Sequence, residues 1–333
     1  MTPPPLLEVR GLEVEFVGAG TVTAAVRGLD YTLDGGETLA VLGESGSGKT
    51  VAALAVAGIL ESPPARVVAG EVLLGGTDLL AMAPARRRAE VQGERVGMVF
   101  QDALAALNPA YPVGMQIAEG YRLRRGVSRA QARRRAIELM DRVRIPAAAS
   151  RVDDYPHQFS GGMRQRIVIA MACALDPEIL IADEPTTALD VTVQAEIIDL
   201  LHEIQADSGM GMILISHDLG VVARIADRVA VMYAGRVVET GPIEAVYGHP
   251  AHPYTEALLA AVPRADVRLE RLRALPGAPP SLTSPIPGCA FADRCSHVRP
   301  SCRAAVPPLA GVGGAGTAQA SACFFAEEVL ARV

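Results

Sequence analysis

The 333-residue sequence contains no tryptophan, no uninterrupted apolar run of the ~18 residues that span a bilayer, and no surplus of basic charge. Its longest apolar stretches, such as Val51 to Leu60, are too short to cross a membrane, so the chain is not expected to span one. The start, Met1-Thr2-Pro3-Pro4-Pro5, lacks a basic segment followed by an apolar one, which predicts no secretory signal and a cytoplasmic location. A net charge of −6 argues against non-specific nucleic-acid binding, which a basic surplus usually drives. What is abundant is apolar material. Half of the residues are hydrophobic, mostly Ala, Val and Leu, enough for the core of one large domain or of two.

Gly43-Glu44-Ser45-Gly46-Ser47-Gly48-Lys49-Thr50 spells G-x-x-x-x-G-K-[ST] between an apolar run, Thr38 to Leu42, and a helix-like stretch, Val51 to Leu60. This strand, glycine loop and helix order predicts a phosphate cradle. The glycines let backbone N–H groups turn inward around an anion, Lys49 supplies a point charge for the β/γ-phosphates, and the Thr50 hydroxyl is placed to ligate Mg²⁺. A nucleoside triphosphate follows, although kinases, GTPases and ATPases share such loops.

Short runs at Leu7 to Arg10, Leu12 to Phe16 and Glu71 to Leu74 suggest antiparallel strands. Near-continuous apolar runs at Val96 to Phe100, Ile179 to Ala182, Met212 to Ile215 and Val229 to Tyr233 alternate with helical segments and fit a buried, largely parallel sheet. Ala234-Gly235 reads as a hairpin turn. From Gln101 to Ile169 strand signals are few, which predicts a helical insertion. It carries the densest basic patch, Arg122, Arg124, Arg125, Arg129, Arg133, Arg134 and Arg135, either a solvated helix face or a surface for a partner protein or lipid headgroups. After about Gly241 the prolines at 250, 253, 263, 276, 279, 280, 285 and 287 interrupt regular structure, Gly311 to Gly316 reads as flexible, and a single short helix is expected at Tyr254 to Ala261.

Ile179 to Ala182 runs into Asp183-Glu184, two carboxylates at the end of a buried strand. There Asp183 would hold the metal through water and Glu184 would polarise an attacking water. Ser160-Gly161-Gly162-Met163-Arg164-Gln165-Arg166 opens a helix over Ile167 to Leu175 and is a second anion-binding helix start, or an ordinary N-cap. This stretch resembles the signature motif of ABC-transporter nucleotide-binding subunits. The resemblance covers about residues 6 to 245. It implies an α/β P-loop NTPase fold: a RecA-like core, an antiparallel β subdomain and a helical subdomain at about 101–169.

The same resemblance implies further roles. Ser160, Gly161, Gly162 and Gln165 would complete the ATP site of an opposite subunit, and Gln101 would contact Mg²⁺ and the attacking water. Ala188-Leu189-Asp190 matches the loop that crosses the dimer interface, His217 the switch histidine on the γ-phosphate, and Phe16 an adenine-stacking aromatic. His252-Pro253-Tyr254-Thr255-Glu256-Ala257-Leu258-Leu259, Pro276-Gly277-Ala278-Pro279-Pro280 and Gly288-Cys289-Ala290-Phe291-Ala292-Asp293-Arg294-Cys295 are similar to the C-terminal extension of oligopeptide/dipeptide importer ATPases. Phe100-Gln101-Asp102 and Leu107-Asn108-Pro109 resemble the same subfamily, and the small irregular extension is expected to occupy 246–333.

Four of the five cysteines, Cys289, Cys295, Cys302 and Cys323, fall in this extension with five, six and twenty residues between them. Disulfides are not expected in a reducing compartment. Four thiolates suit zinc or an iron–sulfur cluster, unligated thiols being the alternative, and the spacing lacks the close pairs usual for structural zinc. The resemblance favours a [4Fe–4S] cluster. Cys173, within an apolar helix, reads as core. The function implied is ATP hydrolysis with Mg²⁺ that energises a peptide importer. Its expected partners are two membrane permeases, a second and paralogous ATPase subunit and an extracytoplasmic binding protein, without nucleic acid. Nickel or another small solute is the alternative cargo, and a soluble ATPase acting on nucleic acid or ribosomes is the rival function.

Overall fold

A computed structural model describes residues 4–18, 20–187, 189–261, 275–314 and 318–332. In chain order the elements begin with β1 (Leu7–Val17), β2 (Val22–Leu33), β3 (Thr38–Leu42), α1 (Lys49–Val56), β4 (Ala65–Leu74), β5 (Thr77–Asp78), α2 (Pro84–Glu90) and β6 (Val96–Val99). A helical stretch follows: α3 (Ala103–Ala106), α4 (Val113–Arg125), α5 (Arg129–Arg142), α6 (Ala148–Arg151) and α7 (Gly161–Ala172). The chain then returns through β7 (Ile179–Asp183), α8 (Val191–Ser208), β8 (Gly211–Ile215), α9 (Leu219–Ile225), β9 (Arg228–Tyr233) and β10 (Arg236–Pro242). Last come α10 (Ile243–Gly248), α11 (Pro253–Ala260), α12 (Pro300–Ala304), β11 (Ala310–Gly311), β12 (Ala320–Ser321) and α13 (Ala326–Leu330).

Two sheets form among the described residues. One is antiparallel, in the order β2-β1-β4-β5. The other runs β11-β12-β10-β9-β3-β8-β7-β6, and its pairs from β9 through β3, β8 and β7 to β6 are parallel. Every residue of β3, β7 and β8 is buried, which explains why these strands are aliphatic throughout rather than alternating. Alternate side chains serve opposite faces. Ile179, Ile181, Ile213 and Ile215 join a core shared with α1 and the antiparallel sheet, whereas Leu180, Ala182, Met212 and Leu214 join a core shared with α4, α5, α7 and α8.

From Ala103 to Ala172 the chain is helical without an intervening strand, and α5 is secured by a capping box in which the Ser128 side chain accepts from the Gln131 N–H and Gln131 reaches back. Ala234 and Gly235, at φ 48° and 80°, make the β9–β10 hairpin turn. The helix expected over Val51 to Leu60 begins at Lys49 and ends at Val56. The runs Leu7 to Arg10 and Leu12 to Phe16 are one strand, with a register shift between Val9 and Leu12.

The C-terminal region departs most from expectation. In place of a single short helix it contributes α11, α12 and α13, and its strands β11 and β12 extend the edge of the main sheet beyond β10. Gly311, read as flexible, belongs to β11, while Pro263 and Gly316 lie outside the described residues. Buried Glu239 of β10 ties this region down, accepting from the N–H groups of Ala251 (2.6 Å) and His252 (3.0 Å) and from Gln319 Nε2 (2.8 Å). Such a network replaces the independent core that a short segment cannot build.

Candidate active site

The glycine loop from Gly43 to Thr50 leaves β3 and enters α1, held against the β9–β10 hairpin and β2. Gly43, at φ 148°, has no room for a side chain, because a Cβ there would meet Met232 O at 2.2 Å. A Cβ on Gly48 would meet Ala25 O at 2.4 Å. Glycine is required at both positions by close backbone approach as well as by φ. Lys49 is nearly buried, and its Nζ donates to Gly43 O (2.8 Å) and Glu44 O (3.0 Å). Burial pushes its ammonium below the usual lysine range, opposed by the charges of Glu184, Asp183 and Glu44.

Thr50 Oγ1 donates to Asp183 Oδ1 at 3.2 Å, joining the end of the loop to the end of β7. Burial pushes the Asp183 carboxyl upward, and the Thr50 hydrogen bond opposes that shift. A hydroxyl and a carboxylate side by side are hard oxygen donors that suit Mg²⁺, which keeps several waters and phosphate oxygens of its own.

Glu184 follows at φ 46°, a left-handed conformation that non-glycine residues rarely adopt, and its N–H donates to Ile215 O at 2.9 Å. Three side chains converge on its Oε2: Gln101 Nε2 at 2.7 Å, Thr187 Oγ1 at 3.0 Å and His217 Nδ1 at 3.4 Å. They come from the segments after β6, β7 and β8, so the carboxyl ends of neighbouring parallel strands build the cluster. Thr187 was not foreseen in the sequence; only its position three residues after Glu184 hinted at it.

Other expected site residues stand apart. Ser160 N-caps α7, accepting from Met163 N at 3.3 Å, and Gly162 lets α7 lie against α8, since a Cβ there would meet Val193 Cγ1 at 2.5 Å. Gln165 is buried, its Nε2 without a hydrogen-bond partner. Among the described residues no hydrogen bond joins Ser160–Gln165 to the glycine loop. Asp190 N-caps α8, its Oδ1 accepting from Thr192 N (3.1 Å) and Val193 N (3.0 Å), and Ala188 lies outside the described residues. Phe16 sits half-buried in β1, paired with Thr23 and Ala65.

Cys289, Cys295, Cys302 and Cys323 do come together, lining one small cavity with Phe291, Pro253 and Val329. Its volume of about 20 Å³ is roughly that needed for one water. Among the described residues no group of three or more His, Cys, Asp or Glu side chains is arranged to hold a metal ion. Burial pushes the Cys289 thiol up to about 11 and raises Cys295 and Cys323, and the neighbouring cysteines add to each shift. The expected iron–sulfur cluster is thus not supported by a metal-binding group among the described residues. Cys173 is buried in the core, as expected.

Comparison with known proteins agrees with this architecture. Residues 26–187 match the family model described as ABC transporter, and residues 238–302 match the one described as oligopeptide/dipeptide transporter, C-terminal region. A relative from Brucella abortus (strain 2308), named "Putative peptide import ATP-binding protein", is 51% identical over 310 residues, 93% of each chain. Another of that name, from Brucella melitensis biotype 1, is 48% identical over 323 residues, 94% of this chain and 95% of its own. The dimeric ATP-binding cassette MJ0796 shares the fold, with a TM-score of 0.64 and 24% identity over 71% of this chain and 98% of its own. The cbiO1 protein of Clostridium perfringens, part of the ABC transporter complex cbiONQ, has a TM-score of 0.62 and 27% identity over 74% and 92% of the two chains. The chain therefore belongs to the ABC transporter family, in its oligopeptide/dipeptide branch.

Proposed function

We propose that this protein hydrolyses ATP to drive import of di- or oligopeptides, acting at the cytoplasmic face of a membrane beneath two permease subunits. The observation that carries the catalytic part is the convergence of Gln101, Thr187 and His217 on Glu184 beside the Thr50–Asp183 pair. Glu184 takes the proton of the attacking water, Gln101 and Thr187 orient its carboxylate, and His217 faces the γ-phosphate. The loop amides from Gly43 to Gly48 and the Lys49 ammonium hold the β/γ-phosphates. Thr50 and Asp183 would hold Mg²⁺ with Gln101 nearby, and the ion would supply charge neutralisation on the phosphates.

The separation of Ser160–Gln165 from the glycine loop supports a two-subunit site, with the α7 start and Asp190 of one subunit closing over the triphosphate of the other. We assign residues 1–245 to the ATPase unit and 246–333 to its extension. The second subunit is a paralogue, and an extracytoplasmic binding protein delivers the cargo. Between the helical insertion and the core lies a groove of about 740 Å³ lined by Phe100, Gln116, Leu123 and Met171, with Phe100 and Leu123 left 42% and 68% exposed. Phe100 adjoins Gln101, so an apolar permease segment seated there reaches the catalytic cluster through one peptide unit. Phe16 stacks the adenine.

The peptide cargo is inferred from the names of the Brucella relatives and from the match of residues 238–302. Among the described residues no helix is long and apolar enough to cross a membrane, in keeping with peripheral attachment. Glu184→Gln in the assembled transporter should retain ATP binding and lose at least about a hundredfold in turnover, the scale of removing a general base. Turnover near that of the wild type would refute the assignment. Co-purification with integral membrane proteins is expected, and nuclease-sensitive association with ribosomes would support the rival function.

A further inference from the structure

Glu44, the second residue of the glycine loop, is held at three points. Its carboxylate accepts two hydrogen bonds from Arg294, Nη1 to Oε2 at 2.7 Å and Nη2 to Oε1 at 2.9 Å. Its N–H donates to Tyr254 Oη at 2.8 Å, and its carbonyl accepts from Lys49 Nζ at 3.0 Å. Arg294 and Tyr254 both belong to the C-terminal extension, Arg294 standing 250 positions away in sequence.

This is not a surface ion pair. The Arg294 side chain is 5% exposed, its Nε donates to Pro276 O at 2.8 Å, and its Nη1 also donates to Tyr233 Oη at 3.1 Å. Tyr233, Tyr254 and Phe291 pack together around it, with ring centroids 4.6 to 5.4 Å apart. The guanidinium is therefore fixed in orientation before it meets Glu44, and a bidentate pair is strong when its geometry is prepared in this way.

Two consequences follow for a loop that must receive a triphosphate. The first is conformational: with glycines at 43, 46 and 48 the loop has little intrinsic preference, and pinning residue 44 from outside removes much of its freedom. The second is electrostatic. A carboxylate in a phosphate loop repels the ligand, and a buried guanidinium bound to it cancels that repulsion.

We propose that the C-terminal extension is part of the nucleotide site. Arg294, supported by Tyr254 and Tyr233, is a positioning residue that sets the glycine loop through Glu44 and neutralises its charge. The inference rests on the reading of Gly43–Thr50 as the ATP loop. It assigns the extension a role in ATP affinity, separate from any role in partner recognition.

The test is equilibrium binding of Mg·ATP to the full-length chain, together with ATP turnover by the assembled transporter. Absence of binding to the wild type would defeat the ATP-loop reading itself and not this inference. With wild-type binding established, Arg294→Ala should raise Kd and KM for ATP about tenfold or more, leaving kcat at saturating ATP within about twofold, and Arg294→Lys should recover part of the loss. The decisive variant is the double Arg294→Ala, Glu44→Gln, which removes the uncompensated charge and should return Kd to within about threefold of the wild type.

An unchanged Kd in Arg294→Ala overturns the proposal, and a double variant as weak as the single one overturns its electrostatic part, because the uncompensated charge is then not what weakens binding. Should Arg294→Ala fail to fold, Tyr254→Phe removes only the hydroxyl that receives the Glu44 N–H and should weaken ATP binding about threefold with an unaltered melting temperature. Unaltered binding in that variant overturns the proposal as well.

Discussion

Lys49 shows how much one side chain supplies here. Its ammonium is buried and bonded to two carbonyls of its own loop, so a triphosphate has only to replace those weak acceptors with strong ones. Lys49→Ala should lower ATP affinity by about 2–3 kcal/mol, the value of charge-assisted hydrogen bonds, in equilibrium binding to the full-length chain. Unchanged affinity would contradict the role. Thr187 is the residue of the catalytic cluster that patterns did not disclose. The Asp183-Glu184 pair was legible because it ends an apolar run, and Gln101 and His217 only through the resemblance to ABC-transporter subunits. Thr187 depends on the turn after Glu184, whose left-handed backbone no pattern of apolar residues records.

At the scale of elements, helix starts carry more than one duty. Asp190 was expected at a dimer interface, and within the chain it caps α8 through two backbone N–H groups. Asn caps a helix as well as Asp does, whereas Ala costs about 1 kcal/mol. Asp190→Asn should therefore leave the melting temperature unaltered; if the carboxylate also serves across the dimer, that variant should reduce ATP turnover in the assembled transporter. His252 caps α11 in a similar manner, its Nδ1 accepting from Tyr254 N at 3.0 Å. Burial lowers its imidazole from 6.5 to about 4, since protonation would destroy the cap and place a charge in the core. A depressed folded-state value means that this stabilisation is complete above about pH 6.5 and is lost as the pH falls towards 4. The loss amounts to about 3 kcal/mol at most. Denaturant midpoints measured between these pH values should fall for the wild type and vary less for His252→Asn, which retains a capping oxygen.

For the whole molecule, the main consequence of the fold is that the C-terminal extension is not an appendage. Strand β12 pairs with β10, Glu239 binds the chain at Ala251, His252 and Gln319, and Phe291 enters the principal core. Truncation after residue 245 would remove these donors together with β12, and would uncover β10 and the core surface that Tyr254 and Phe291 fill. The truncated chain should unfold at lower denaturant concentration than the full one; equal stability would show the extension to be energetically independent. The four thiols belong to the same docked region and line one cavity, and iron and sulfide measured in protein prepared anaerobically should separate a bound cluster from free thiols. Stoichiometric iron and sulfide would assign a cluster to these cysteines, and a colourless protein would leave them as thiols. From sequence alone the region read as irregular, because its two strands have only two residues each and acquire their hydrogen bonds from β10 and from each other.

What the sequence determined by itself is chemistry that resides in contiguous residues. The glycine loop between strand and helix, the aliphatic strands that end in carboxylates, and the helix start at Ser160 follow from local sterics and from burial on both faces of a sheet. The tertiary structure decided which distant groups meet. Glu184 collects Gln101, Thr187 and His217, the four thiols gather around one cavity, and Arg294 crosses 250 positions to hold Glu44. No local propensity encodes such meetings, because they arise only when strand order and the docking of the extension bring separate segments within a few ångströms.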